Sequence, residues 1–82
     1  MSYVYIIKSI KKKWYYIGST KDLKLRLQNH NLGKSFSTKP YRPLKLIYYE
    51  AYSTYHLARK REFQLKKNGQ QKELLFERLE LV

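Results

Sequence analysis

The chain has no cysteine. That excludes disulfide staples and thiolate metal sites, and it fits a reducing compartment. Acids are scarce: six Asp and Glu stand against eighteen Lys and Arg, for a formal net charge of +12. Residues 1–69 hold 16 basic and 3 acidic side chains, whereas residues 70–82 hold 2 and 3. No apolar run approaches the ~18 residues that a membrane-spanning helix needs. Ile6-Ile7 is too short for the apolar core of a signal peptide. No repeat, linker or low-complexity segment divides the 82 residues, so one domain over 1–82 is expected, in a cytoplasmic setting and as a monomer. A chain of this size buries only about 60–65% of its unfolded surface, so the core must be small.

The charge that is present points to a polyanion, with nucleic acid ahead of an anionic membrane surface. DNA is expected ahead of RNA. Nine tyrosines and one tryptophan interleave with the cations, a mixture suited to phosphate contact and base stacking and equally to half-wet sheet faces.

Residues 3–8 and 14–18 are rich in β-branched and aromatic side chains and read as two strands. The connection is too short for a crossover, so the pair is an antiparallel hairpin. A four-residue loop over Ser9 to Lys12 sets Tyr5 opposite Tyr16 and Ile7 opposite Trp14. Tyr3, Tyr5, Ile7, Trp14 and Tyr16 then share one face, and Val4, Ile6, Tyr15 and Ile17 the other. Gly18 ends the second strand, where the backbone turns sharply or admits a close neighbour. Ser19 or Thr20 caps a helix from about Lys21 to Asn31, with Leu23 and Leu27 as its buried stripe and Asp22, Arg26 and His30 as a polar stripe beside it. A basic loop follows to Pro43, and Leu44 to Tyr52 is a third strand. Ser53 or Thr54 caps a second helix over about Tyr55 to Lys67, which Asn68-Gly69 closes. Gln70 to about Leu79 forms a third, with Leu74, Leu75 and Leu79 apolar. The order ββαβαα predicts an α+β fold: a small three-stranded antiparallel sheet flanked by helices.

Four side chains are candidates to meet on one phosphodiester. Tyr5 and Tyr16 are phenols near the glycine; a free phenol has a pKa near 10, and the surrounding cations are expected to lower it and let the phenol act as a base. Taken alone they read as a packing pair. Arg26 borders the leucine stripe and offers a two-pronged phosphate contact. His30, one turn on, is either a proton acceptor near pH 7 or a cation capping the helix end. Glu62 is the odd acid in a basic helix. It is either an intrahelical partner of Arg59 or Lys66, or one carboxylate ligand for a divalent ion that takes its remaining ligands from water and substrate phosphate. Lys11, Lys12 and Lys13 in the hairpin loop, with Lys34, Lys39 and Arg42 in the loop after the first helix, are candidate walls of a nucleic-acid groove.

These residues resemble the GIY-YIG nuclease family over nearly the whole chain. Tyr16-Ile17-Gly18 is similar to the second signature triplet, and Tyr3-Val4-Tyr5 stands for the first, with Tyr3 in place of its glycine. Arg26, His30 and Glu62 fall where the family carries its helix arginine, its histidine or aromatic one turn later and its acidic metal ligand. Ser19 stands where relatives often have Lys or His. The string looks like the small stand-alone branch labelled UPF0213. The resemblance implies a ββαβα core and Mg²⁺- or Mn²⁺-dependent hydrolysis of DNA phosphodiesters by in-line attack of water. It casts Tyr5 as the base, assisted by Tyr16 or His30, with Arg26 steadying the phosphate and Glu62 holding the metal. Substrate preference is then expected from nucleic-acid shape or from a protein partner. The rival expectation is a nucleic-acid-binding module with weak catalysis.

Overall fold

The computed structural model describes residues 1–81. Strands β1 (Ser2–Ser9), β2 (Tyr15–Thr20) and β3 (Leu44–Tyr52) form one antiparallel sheet in the order β2-β1-β3. Helices α1 (Leu23–Asn31), α2 (Tyr55–Lys67) and α3 (Gly69–Arg78) cover it, and a single 3₁₀ turn lies at Lys39–Tyr41. The α+β architecture is the one that the residue pattern predicts.

Strand β1 is central and covered on both faces, which is why VYII within it is apolar without alternation. Val4 and Ile6 face Ile17 of β2, Ala58 and Leu65 of α2, and Leu75 and Phe76 of α3. Tyr5 and Ile7 face the opposite way, with Leu44, and Trp14, Tyr16, Leu23 and Leu27 pack against them. Each fully buried aliphatic side chain contributes about 1.5–3 kcal/mol, and two shallow cores suffice because they share one strand. In α3 the buried pair is Leu75 and Phe76, while Leu74 is exposed.

Three local expectations need correction. The hairpin pairs Tyr5 with Gly18, Ile6 with Ile17 and Ile7 with Tyr16, two residues away from the Tyr5–Tyr16 register. The loop is longer because Ser9 Oγ accepts from the amides of Lys11 and Lys12 and organises a wider turn. A slip of two keeps every side chain on its face, so the expected face partition holds. The α1 cap is Asp22, whose carboxylate accepts from the Leu25 amide at 3.0 Å. Thr20 instead exchanges hydrogen bonds with the Asp22 backbone. The strand also runs on through Gly18 to Thr20, so the glycine is no corner. It serves close approach: a Cβ there would lie 2.5 Å from Tyr5 Oη and 2.6 Å from Tyr5 Cζ. The Tyr5 phenol lies over bare backbone.

β3 breaks strict alternation at a bulge opposite Ile6/Ile7. Leu44 and Leu46 face α1, whereas Ile47 and Tyr48 face α2. Beyond the bulge Tyr48, Glu50 and Tyr52 share the α2 face. Both phenols donate to Glu50 at 2.6 Å, and Arg61 of α2 donates to it from Nε at 2.9 Å. At the other end of the sheet Asn31 pairs with both backbone groups of Leu44, tying α1 to β3.

The two glycines in regular elements should respond oppositely to alanine. Gly18→Ala must displace Tyr5 and should cost about 1–3 kcal/mol, as overpacking does. Gly69→Ala meets no atom within 4 Å and should be neutral or gain up to about 1 kcal/mol. Urea titrations of both variants measure the contrast, and equal midpoints would contradict the close-approach reading.

Candidate active site

The site is an open cleft of about 510 Å³ beside β2. Tyr5 and Tyr16 reach it from the sheet, Arg26 from α1 and Glu62 from α2. The structure thus brings together four of the five residues singled out as catalytic or metal-ligating. The fifth, His30, does not line the cleft. It lies behind Tyr5, fully buried, and is the only wholly buried residue of α1. Leu23 and Leu27 are only half buried, so the inward face of this helix is centred on a histidine rather than on leucines. His30 is therefore no exposed helix cap.

Its ring is held at both nitrogens, by Tyr5 Oη at 2.8 Å from Nε2 and by Thr38 Oγ1 at 2.8 Å from Nδ1. One tautomer serves all of these contacts. With Nδ1–H donating to Thr38 Oγ1, Thr38 turns its own proton to the Ser35 carbonyl at 3.4 Å, and Nε2 accepts the Tyr5 proton. We assign that tautomer to His30. Tyr5 Oη in turn accepts from Arg26 Nε at 3.3 Å. One directed chain runs Arg26, Tyr5, His30, Thr38, and every buried polar side-chain atom among the described residues has a partner.

The electrostatics reverse one expectation. Nearby cations do not win at Tyr5: burial raises its pKa to about 12, outweighing the hydrogen bond and charge of Arg26. Burial also lowers His30 to about 4, helped by repulsion from Arg26. At neutral pH the phenol is protonated and the imidazole neutral, which the directed chain requires. Arg26 itself is raised by the same Tyr5 hydrogen bond and stays a cation throughout.

Glu62 lies on α2 between buried Ala58 and Leu65. Burial works against its ionisation, yet hydrogen bonds from Lys66 and Ser19 and the charges of Lys66 and Arg59 prevail and hold its pKa below the usual range. Ser19 Oγ donates to Oε1, Lys66 Nζ to Oε2 at 2.7 Å, and Arg59 stands 3.8 Å from Oε1. Among the described residues no three His, Cys, Asp or Glu side chains gather into a metal cage. The donors fit a hard, hydrated cation with one protein ligand, since a carboxylate offers about four lone-pair positions and these neighbours leave at least one free. Ser19 fixes the carboxylate's orientation.

The predicted groove walls lie elsewhere. Lys11, Lys39 and Arg42 gather at the hairpin-tip end of the sheet, and Lys12 stands 5.3 Å over the Tyr41 ring, itself stacked on Trp14 at 3.8 Å. Arg42 is pinned across Gly33 and bonded to the Lys39 carbonyl. Lys13 and Lys34 are exposed and line neither surface. The cations at the cleft are instead Lys21, Arg26 and Arg59. Sequence reading gave no site role to Lys21, Thr38 and Tyr55. It took Ser19 as a helix cap, and it named Arg59 and Lys66 as intrahelical partners of Glu62, which they are.

The chain's residues 1–74 match the model of the GIY-YIG catalytic domain. The chain belongs to the GIY-YIG family. It is 40% identical over 73 residues to UPF0213 proteins of Staphylococcus saprophyticus and of Staphylococcus aureus strain N315, covering 88% of each chain in both comparisons. No solved structure matches it. As a GIY-YIG domain it is a nuclease domain with nucleic acid as its substrate, of a family that generally depends on divalent metal. Among the described residues no helix is long and apolar enough to cross a membrane.

The buried neutral histidine has a thermodynamic consequence. Between pH 4 and 6.5 the folded chain binds fewer protons at His30 than the unfolded chain, so its stability contribution is present above pH 6.5 and is lost as pH falls towards 4. The loss should be about 3 kcal/mol. Urea unfolding of the parent and of His30→Gln at pH 7.0 and 4.5 measures it. The parent should lose distinctly more, and parallel losses would contradict the assignment.

Proposed function

We propose that residues 1–82 act as a single metal-dependent endonuclease domain that hydrolyses DNA, in the cytoplasm, with Tyr5, Tyr16, Arg26 and His30 as its catalytic groups. The observation that carries this reading is the 2.8 Å contact of His30 Nε2 with the Tyr5 hydroxyl, with Arg26 and Glu62 lining the same cleft.

In this reading the phosphate enters between Arg26 and Glu62. Arg26 is bonded through Nε to Tyr5 and lies beside Tyr16, and its terminal nitrogens take two phosphate oxygens. Glu62 would hold a Mg²⁺ or Mn²⁺ ion, which would supply positive charge for the developing oxyanion. Water attacks phosphorus in line, the ester P–O bond opposite it breaks, and the departing alkoxide takes a proton from solvent. The water's proton passes to Tyr5 Oη while the proton of Tyr5 passes to His30 Nε2, so the phenol never bears a full negative charge. That transfer suits a Tyr5 whose pKa is high, which a simple phenolate base does not. The substrate also helps the acceptor: a phosphate paired with Arg26 offsets the charge that depresses His30. Tyr16, on the open side, donates its hydroxyl to the phosphate. Ser19 keeps Glu62 aimed into the cleft.

Cleavage of labelled single-stranded, duplex and branched DNA with Mg²⁺ or Mn²⁺ tests the assignment through three variants. Arg26→Ala should lose about 3–4 kcal/mol of transition-state stabilisation. Glu62→Gln should lose cleavage while binding DNA in EDTA at least as tightly as the parent, because the field becomes more positive. Tyr5→Phe should also keep affinity and lose cleavage. It should be less stable by about 1–3 kcal/mol as well, because His30 Nε2 loses its donor. Cleavage at the parent rate by all three would remove the assignment. A parent that binds DNA and never cleaves any form of it would favour the binding-module reading.

A further inference from the structure

The cleft is wider than one phosphate needs, and its second half is cationic. Beyond Arg26 and Glu62 it is lined by Lys21, Tyr55 and Arg59. None of the three has a strong internal commitment. Among the described residues Lys21 forms no ion pair, and its ammonium rests 5.4 Å over the Tyr55 ring. The Tyr55 hydroxyl has no hydrogen bond among them. Arg59 has only the 3.8 Å approach to Glu62, with 62% of its side chain exposed. Arg61 on the same helix shows the contrast, being fully occupied by Glu50 and Gln64.

Lys21 stands just ahead of α1 and lines the same part of the cleft as Arg59. Arg59 precedes Glu62 by three residues on α2, about one turn or 5 Å along the helix. That displacement is of the order of one nucleotide step along a strand, which rises about 3.4 Å per residue in a duplex.

We propose that Lys21, Arg59 and the Tyr55 hydroxyl form a second backbone-phosphate subsite, which holds the phosphate adjacent to the scissile one. Lys21, from the turn before α1, and Arg59, from α2, close on that phosphate, and Tyr55 sets the direction of the Lys21 ammonium while offering its own hydroxyl as a donor. The inference rests on the nucleic-acid reading above and gives the cleft a register: two consecutive phosphates of one strand.

The test neutralises one phosphate at a time. Single-stranded oligonucleotides, each with one methylphosphonate, are bound in EDTA by the parent, by Lys21→Ala/Arg59→Ala and by Lys11→Ala/Lys13→Ala as a charge-matched control. A cleavage-site assay on the unmodified oligonucleotide fixes the position of the scissile phosphate. The parent should lose about 3- to 10-fold in affinity when the neighbouring phosphate is neutral. The Lys21/Arg59 variant should bind the unmodified strand more weakly, with a salt slope reduced in magnitude by about 1, and should be insensitive to neutralisation at that position alone. The Lys11/Lys13 control should keep the sensitivity of the parent. A parent that binds but shows the same methylphosphonate profile as the Lys21/Arg59 variant overturns the subsite alone. A parent that binds none of the oligonucleotides overturns the nucleic-acid reading and the subsite with it.

Discussion

The Tyr5 hydroxyl is the point on which the site depends. It takes a hydrogen bond from Arg26 and shares one with His30, and each neighbour is placed by that contact. Without the phenol the His30 lone pair would be buried and unpaired, at a cost of about 1–3 kcal/mol. Gly18 exists in its bare form because the phenol needs the space that a side chain would fill. Thr38 sets the imidazole tautomer, and through it the basic loop after α1 is joined to the sheet. A sheet residue, a helix residue and a loop residue are thereby fixed relative to one another. A chain this small has few other means of holding catalytic geometry to a fraction of an ångström.

The scarcity of acids is used in two different ways. Glu50 is closed off by two phenols and an arginine and ties α2 to β3. Glu62, two turns from the start of the same helix, is oriented by Ser19 and still opens onto the cleft. Docking α2 through Glu50 and Arg61 sets the height at which Glu62 and Arg59 meet the sheet. The first carboxylate positions the second.

Much of this was legible in the residues. Strand and helix order, the two faces of the hairpin and the place of Glu62 follow from periodicity, which survives a register slip of two. Other features were illegible for physical reasons. The hairpin register depends on Ser9 capping its own loop, and the α1 boundary on a competition among three capping residues that propensity cannot rank. Burial of His30 was invisible because its partners, Tyr5 and Thr38, lie 25 residues before it and 8 after it, and a histidine at a helix end looks like a cap. The raised pKa of Tyr5 was misread for a related reason. Composition shows the many cations, but it does not show that one of them contacts the phenol inside a desolvated pocket. The cations at the cleft, Lys21 and Arg59, sit among sixteen others, and only the fold selects them.

The claim that Tyr5 gives its proton to a neutral His30 is open to direct observation. A long-range ¹H–¹⁵N spectrum of the histidine rings near pH 7 distinguishes a protonated ring nitrogen from a bare one. The account predicts Nδ1 of His30 protonated and Nε2 bare, unchanged from pH 8 down to about pH 5. A ring protonated at Nε2, or one that becomes imidazolium near pH 6.5, would contradict it.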